Sequence, residues 1–257
     1  GIPISTFQNL ATKIGINVGT AIASANPAQS KADDFVLAGF ERVSKKDLAG
    51  SVSEFSKAIA IKPKLVTAWV WRGTCLLLMG DFQKAITNLN GAIALNPKKV
   101  EAYVHRASAY AQLGNRAQTI ADLDRAVSLN SQSAFVYSSS CSLKFQVGDL
   151  RGAIEDCNRA IQFNPQDSLI YLNRGMARLG LGDRLGALTD YNRSINRDRS
   201  VPNAYYSRGL LKMELEDRQG ASADLQAAAK LYLKFNNKAK YQLTLGKITE
   251  LENGKSD

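Results

Sequence analysis

His105 is the only histidine in the chain, and Cys75, Cys141 and Cys157 are the only cysteines. One histidine cannot make a multi-histidine metal site, and no two cysteines have the C-x-x-C spacing of a zinc or redox motif. No serine, cysteine and acid arrangement around His105 singles out a nucleophile and its base. The glycines follow helical spacing and turns, not a strand-to-helix phosphate loop. The sequence therefore predicts no enzyme and no cofactor. The cysteines fall at apolar helix positions, as buried small hydrophobes do. Cys141 and Cys157 fall on two facing helices, so an oxidising compartment would allow them to pair.

The remaining candidates for chemistry are charged, and they recur. Arg72, Arg106, Arg174 and Arg208 share one register, and Asp122, Asp156, Asp190 and Asp224 share another. A buried charge needs a partner. We read these as a structural ladder of ion pairs, within a repeat or between neighbours, with anion binding by the arginines as the functional alternative.

That register comes from a 34-residue period. The chain divides without insertion into 32–65, 66–99, 100–133, 134–167, 168–201 and 202–235. Place 4 is always aromatic: Phe35, Trp69, Tyr103, Tyr137, Tyr171, Tyr205. Place 8 is small: Gly39, Gly73, Ala107, Cys141, Gly175, Gly209. Place 16 is Asp47, Asp81, Asn115, Asp149, Asp183 and Asp217, and place 27 is alanine or serine throughout. Small residues at places 8, 20 and 27 allow two helices to approach closely, while the aromatic fills the seam. Gly80, Gly114, Gly148 and Gly182 end the first helix of a repeat, because glycine accepts the left-handed conformation there. The following acid or amide caps the second helix. Pro63, Pro97 and Pro165 end that second helix.

The pattern over 32–235 resembles the tetratricopeptide (TPR) family. The resemblance implies an all-α, right-handed α-solenoid of six helix–turn–helix units. Residues 236–257 supply a capping helix and tail, with Tyr241, Leu243, Leu245 and Ile248 as its packing candidates and Lys238, Lys240, Lys247 and Glu250 outside. It also implies a concave face built from the first helix of each repeat. Its expected partner-binding residues are Val36, Leu37 and Phe40; Val70, Trp71, Thr74 and Leu78; Val104 and His105; Ser138 and Ser139; Leu172, Asn173 and Met176; and Tyr206 and Leu210. The groove is apolar with a serine-rich middle, and an exposed apolar patch of that size marks a binding surface. In the competing reading, inter-repeat packing or the N-terminal segment covers part of it. TPR proteins that hold chaperone tails clamp a terminal carboxylate with Lys or Arg at places 2, 5, 6 or 9. No Lys or Arg stands at those places here, so that clamp is absent.

The formal net charge is +10 over 257 residues. The densest basic cluster is Arg193, Arg197 and Arg199, followed by Lys230, Lys234, Lys238 and Lys240. No aromatic platform interleaves with it, so we expect no nucleic acid. Nothing approaches 18 consecutive apolar residues, and nothing else supports membrane contact.

Residues 1–31 lie outside the repeats and admit two readings. Lys13, the apolar run 14–23 and small residues before Lys31 look like a secretory signal, which would make the protein exported rather than cytoplasmic. Alternatively, Ile4, Phe7, Ala11, Ile14, Val18 and Ile22 recur at helical spacing. They form an amphipathic docking helix that covers the groove or drives self-association.

The expected function is a non-enzymatic scaffold or adaptor. It would hold a peptide segment or helix of a partner protein in the concave groove, in the assembly of a larger complex. The alternative is a basic surface that binds nucleic acid or anionic membrane.

Overall fold

The computed structural model describes residues 27–253. Among these residues there are thirteen α-helices and no strand. The helices divide between two compact units that meet at Asn130 and Ser131. The first half contains α1 (Pro27–Ser44), α2 (Leu48–Ile61), α3 (Val66–Leu78), α4 (Phe82–Leu95), α5 (Val100–Gln112) and α6 (Arg116–Leu129). The second contains α7 (Ala134–Gln146), α8 (Leu150–Phe163), α9 (Ser168–Gly180), α10 (Arg184–Arg197), α11 (Pro202–Glu214), α12 (Arg218–Lys234) and α13 (Lys238–Asn253).

Each 34-residue block contains one antiparallel helix pair, and the fold class is an all-α solenoid. The turn inside each pair is built the same way. Gly80, Gly114, Gly148 and Gly182 have φ of 83°, 73°, 78° and 84°. Lys46 and Glu216 adopt the same left-handed conformation with φ of 63° and 62°, so the turn geometry persists where glycine is missing. The next residue then caps the second helix. Asp47, Asp183 and Asp217 each accept a 2.9 Å bond from the backbone N–H three residues on. Asp81 and Asp149 do so at 3.4 Å. Asn115 makes no side-chain cap.

In each pair, the place-8 residue lies under a large residue at place 24. A Cβ added at Gly73 would come within 2.9 Å of Leu89, and one at Gly175 within 2.7 Å of Tyr191. Phe55, Leu89, Leu123, Tyr191 and Leu225 are all fully buried in such seams. The fourth repeat differs: Cys141 and Cys157 occupy the two places and are joined as a disulfide, with Cα atoms 5.1 Å apart.

Neighbouring repeats are stapled by place 4. Trp69 Nε1 donates to the Pro63 carbonyl at 2.8 Å. The Tyr103 and Tyr171 hydroxyls donate to the Pro97 and Pro165 carbonyls at 3.1 Å. The aromatic ring thus fixes the angle at which one repeat follows the last.

One boundary and one set of packing residues differ from the sequence reading. α1 begins at Pro27, so the division drawn at residue 31 falls inside a helix. Proline at a helix start loses no hydrogen bond. On α13 the buried residues are Thr244 and Leu251, while Leu243 is 55% exposed. The helix packs through the 244/251 stripe, two turns apart, which points Leu243 outward. Residues 1–26, with the signal-like and amphipathic readings placed on them, lie outside the described residues.

Candidate functional site

The recurring charges form the ladder. Arg106, Arg174 and Arg208 each grip Asp122, Asp190 and Asp224 through two nitrogens at 2.5–2.8 Å. The third arm of each arginine donates to the amide oxygen of Asn90, Asn158 or Asn192 in the preceding repeat, at 2.6–2.7 Å. Each guanidinium also lies 5.6–5.7 Å from the place-4 ring: Tyr103, Tyr171 or Tyr205. Arg72 substitutes amide for acid, binding Asn88 at 2.6 Å and Ser56 at 3.1 Å. In the fourth repeat Ser140 replaces arginine. Its hydroxyl donates to Asp156 at 2.5 Å, and Lys144 completes the pair at 2.9 Å. The fork geometry of arginine suits this three-way contact. These arginines are therefore held by partners and face no open anion site.

Sequence reasoning missed three members of this system. The place-25 asparagines Asn90, Asn158 and Asn192 recur at the repeat period and were legible there. So were the second cations Lys144, Arg178 and Lys212, one helical turn beyond place 7; Arg178 and Lys212 reach Asp190 and Asp224 at 2.8 and 3.0 Å. The glycines at Gly50, Gly152, Gly186 and Gly220 were the third signal. Each leaves room for the capping carboxylate, which a Cβ would strike.

Within each half, first helices touch first helices: α3 meets α5, α7 meets α9, and α9 meets α11. The expected binding residues therefore lie along a row of adjoining first helices within each half. The sixteen expected binding residues then separate into two groups. Val36, Val70, Trp71, Thr74, Val104, His105 and Leu172 are buried. Six of these seven lie in the first half. Trp71 meets Phe40 edge-to-face at 4.9 Å and shares a core with Val36, Phe55 and Cys75. Val70 packs with Leu89 and Ala102, and Leu172 with Tyr191 and Leu211. Trp71 is thus a core residue in this chain, because the neighbouring repeat's side chains reach across place 6.

The second group stays at least partly accessible: Leu37, Phe40 and Leu78 in the first half, and Ser138, Ser139, Asn173, Met176, Tyr206 and Leu210 in the second. In the second half α7, α9 and α11 bring these six side chains onto one face. Met176 borders the core formed by Leu172 and Tyr191. Tyr206 rests edge-on against Tyr232, with ring centroids 6.4 Å apart. Ser138 donates to the Phe135 carbonyl at 3.2 Å. The face offers amide and hydroxyl groups beside Met and Leu side chains, and no Lys or Arg stands at places 2, 5, 6 or 9.

His105 is buried and its Nδ1 has no hydrogen-bond partner among the described residues. Desolvation pushes its pKa down to about 4. No cluster of three metal-binding side chains occurs among the described residues, and none of the described helices is long and apolar enough to cross a membrane.

The fold and the face together define a helical-hairpin repeat protein. Family models agree: one described as a TPR repeat matches residues 75–114, and one described as a tetratricopeptide repeat matches 100–133. The chain thus carries tetratricopeptide repeats, matched by family models over residues 75–133. No curated protein matches the sequence. Many solved structures share the fold. A tetratricopeptide repeat protein from Parabacteroides merdae aligns with a TM-score of 0.67 and 21% identity, covering 94% of this chain and 91% of that one. YrrB, described as a TPR protein with an unusual peptide-binding site, aligns at 0.55 and 15% identity, covering 80% and 99%. The Cut9–Hcn1 hetero-tetramer of the APC/C aligns at 0.69 and 16% identity. It covers 89% of this chain, which spans only 43% of that one.

Proposed function

We propose that this chain is a non-catalytic scaffold that holds an extended, uncharged segment of a partner protein on the inner face of its second half. The observation that carries the reading is the contrast between the two halves. Six of the nine expected inner-face residues are buried in the first half, against one of seven in the second, where Ser139, Asn173, Met176, Tyr206 and Leu210 remain accessible. An amide such as that of Asn173 can donate to and accept from one peptide unit. Met176 and Leu210 supply adaptable apolar contact. Without cations at the clamp places, a terminal carboxylate gains nothing here, so an internal segment fits best. YrrB and Cut9–Hcn1, similar in fold, are described as binding a peptide and as part of a larger complex. A role in complex assembly is consistent with both.

The test is selection of peptides from a random library on the immobilised full chain. Selected peptides should lose at least ten-fold in affinity against Asn173→Ala and Tyr206→Ala. Affinity should change little between 50 and 500 mM salt. Binding that collapses with salt would instead favour the basic-surface reading, toward nucleic acid or anionic lipid. Peptides indifferent to both substitutions would move the site elsewhere.

A further inference from the structure

We propose that Cys141 and Cys157 form an oxidation site that replaces the packing pair of the fourth repeat and makes the stability of the second half depend on redox conditions. The five other repeats hold the seam between their helices with one large buried side chain over a small one: Phe55, Leu89, Leu123, Tyr191 or Leu225. The fourth has two small residues instead, each 0% exposed. Cysteine as a thiol is a small hydrophobe, so the reduced seam lacks the large side chain that holds the others. The covalent bond supplies the missing restraint. Its Cα separation of 5.1 Å lies within the ordinary disulfide range.

The chemistry balances by thiol–disulfide exchange. The Cys141 or Cys157 thiolate attacks a small-molecule disulfide such as glutathione disulfide and releases one glutathione thiolate. The second cysteine then attacks the mixed disulfide and releases the other. Two thiols are oxidised, one external disulfide is reduced, and two protons leave. Both sulfurs are buried, so exchange requires α7 to part from α8. The bond therefore forms and breaks only during folding or when this helix pair opens locally. That suits an oxidising compartment. Cys75 is free and buried in the first half.

The consequence reaches the binding face. Ser138 and Ser139 are on α7 within one turn of Cys141, so the bond also anchors their helix.

The experiment uses the full chain after incubation with glutathione disulfide or with a strong reductant. Labelling of the denatured protein by a maleimide, read by mass spectrometry, should count one free thiol in the oxidised form and three in the reduced form. Reduction should lower the thermal midpoint by about 6–12 °C, as expected for a loop of this length. Loss of amide hydrogen-exchange protection should centre on α7 and α8. The variant Cys141→Gly with Cys157→Leu restores the packing pair of the second repeat, and its midpoint should not respond to reductant. Three labelled thiols after oxidation would overturn the proposal. So would equal midpoints in the two redox states, which wild-type protein alone reveals if the variant does not fold.

Discussion

His105 shows how a single residue can look functional and act through stability. It stands at an inner-face place, yet it is buried and its Nδ1 has no partner among the described residues. Its folded pKa of about 4 lies below the ordinary value of 6.5. The unfolded chain thus binds the proton first as pH falls. Stability conferred by the neutral ring is intact above pH 6.5 and declines from there toward pH 4. The loss between pH 7 and pH 5 should be about 2 kcal/mol. Urea unfolding at the two pH values checks this, and His105→Gln should remove most of the difference. Asp190 is the opposite case, a buried charge fully engaged. It is 0% exposed and takes hydrogen bonds from Arg174 and Arg178. Asp190→Ala strands those guanidinium groups and should cost about 3–5 kcal/mol. Asn88→Ala, which removes a neutral partner from Arg72, should cost closer to 1 kcal/mol.

Among the elements, the helix pair with its turn is the repeating unit of stability. The left-handed residue stops the first helix, and the acid beside it starts the second. Asp183→Ala should therefore cost about 1 kcal/mol, measured by chemical denaturation. Trp71→Ala belongs to the seam between α3 and its neighbours, not to a free surface. It should destabilise by about 3–5 kcal/mol, as large core truncations do. A change below 1 kcal/mol would show that the first half's inner face is looser than its packing indicates.

For the whole molecule, the division at Asn130 leaves the proposed binding face within one compact unit. A solenoid is stabilised by nearest-neighbour contacts, so residues 131–257 contain the contacts their own face needs. Expressed alone, this segment should stay helical and bind the selected peptides within about three-fold of the full chain. Titration of labelled peptide into both proteins decides it, and a hundred-fold loss would make the first half part of the site.

The period was legible without any structure, because a hairpin repeat imposes the same steric demands every 34 residues. Aromatic rings at place 4, small residues at place 8, the left-handed turn at Gly80 and its counterparts, and the Arg–Asp ladder all follow from local or nearest-repeat geometry. That is why the sequence determined the helices, the turns and the structural charges. It did not determine which inner-face residues are free. Trp71 and Asn173 occupy the same place in their repeats, yet only Asn173 remains accessible. Burial there depends on side chains from adjacent repeats, such as Phe40 against Trp71, and no single repeat encodes that. The Cys141–Cys157 bond was open for the same reason. Place 8 and place 24 put the two cysteines on facing helices, but only the closeness of α7 and α8 brings the sulfurs together. Packing between elements, not the identity of any one place, divides the buried inner-face residues from the accessible ones.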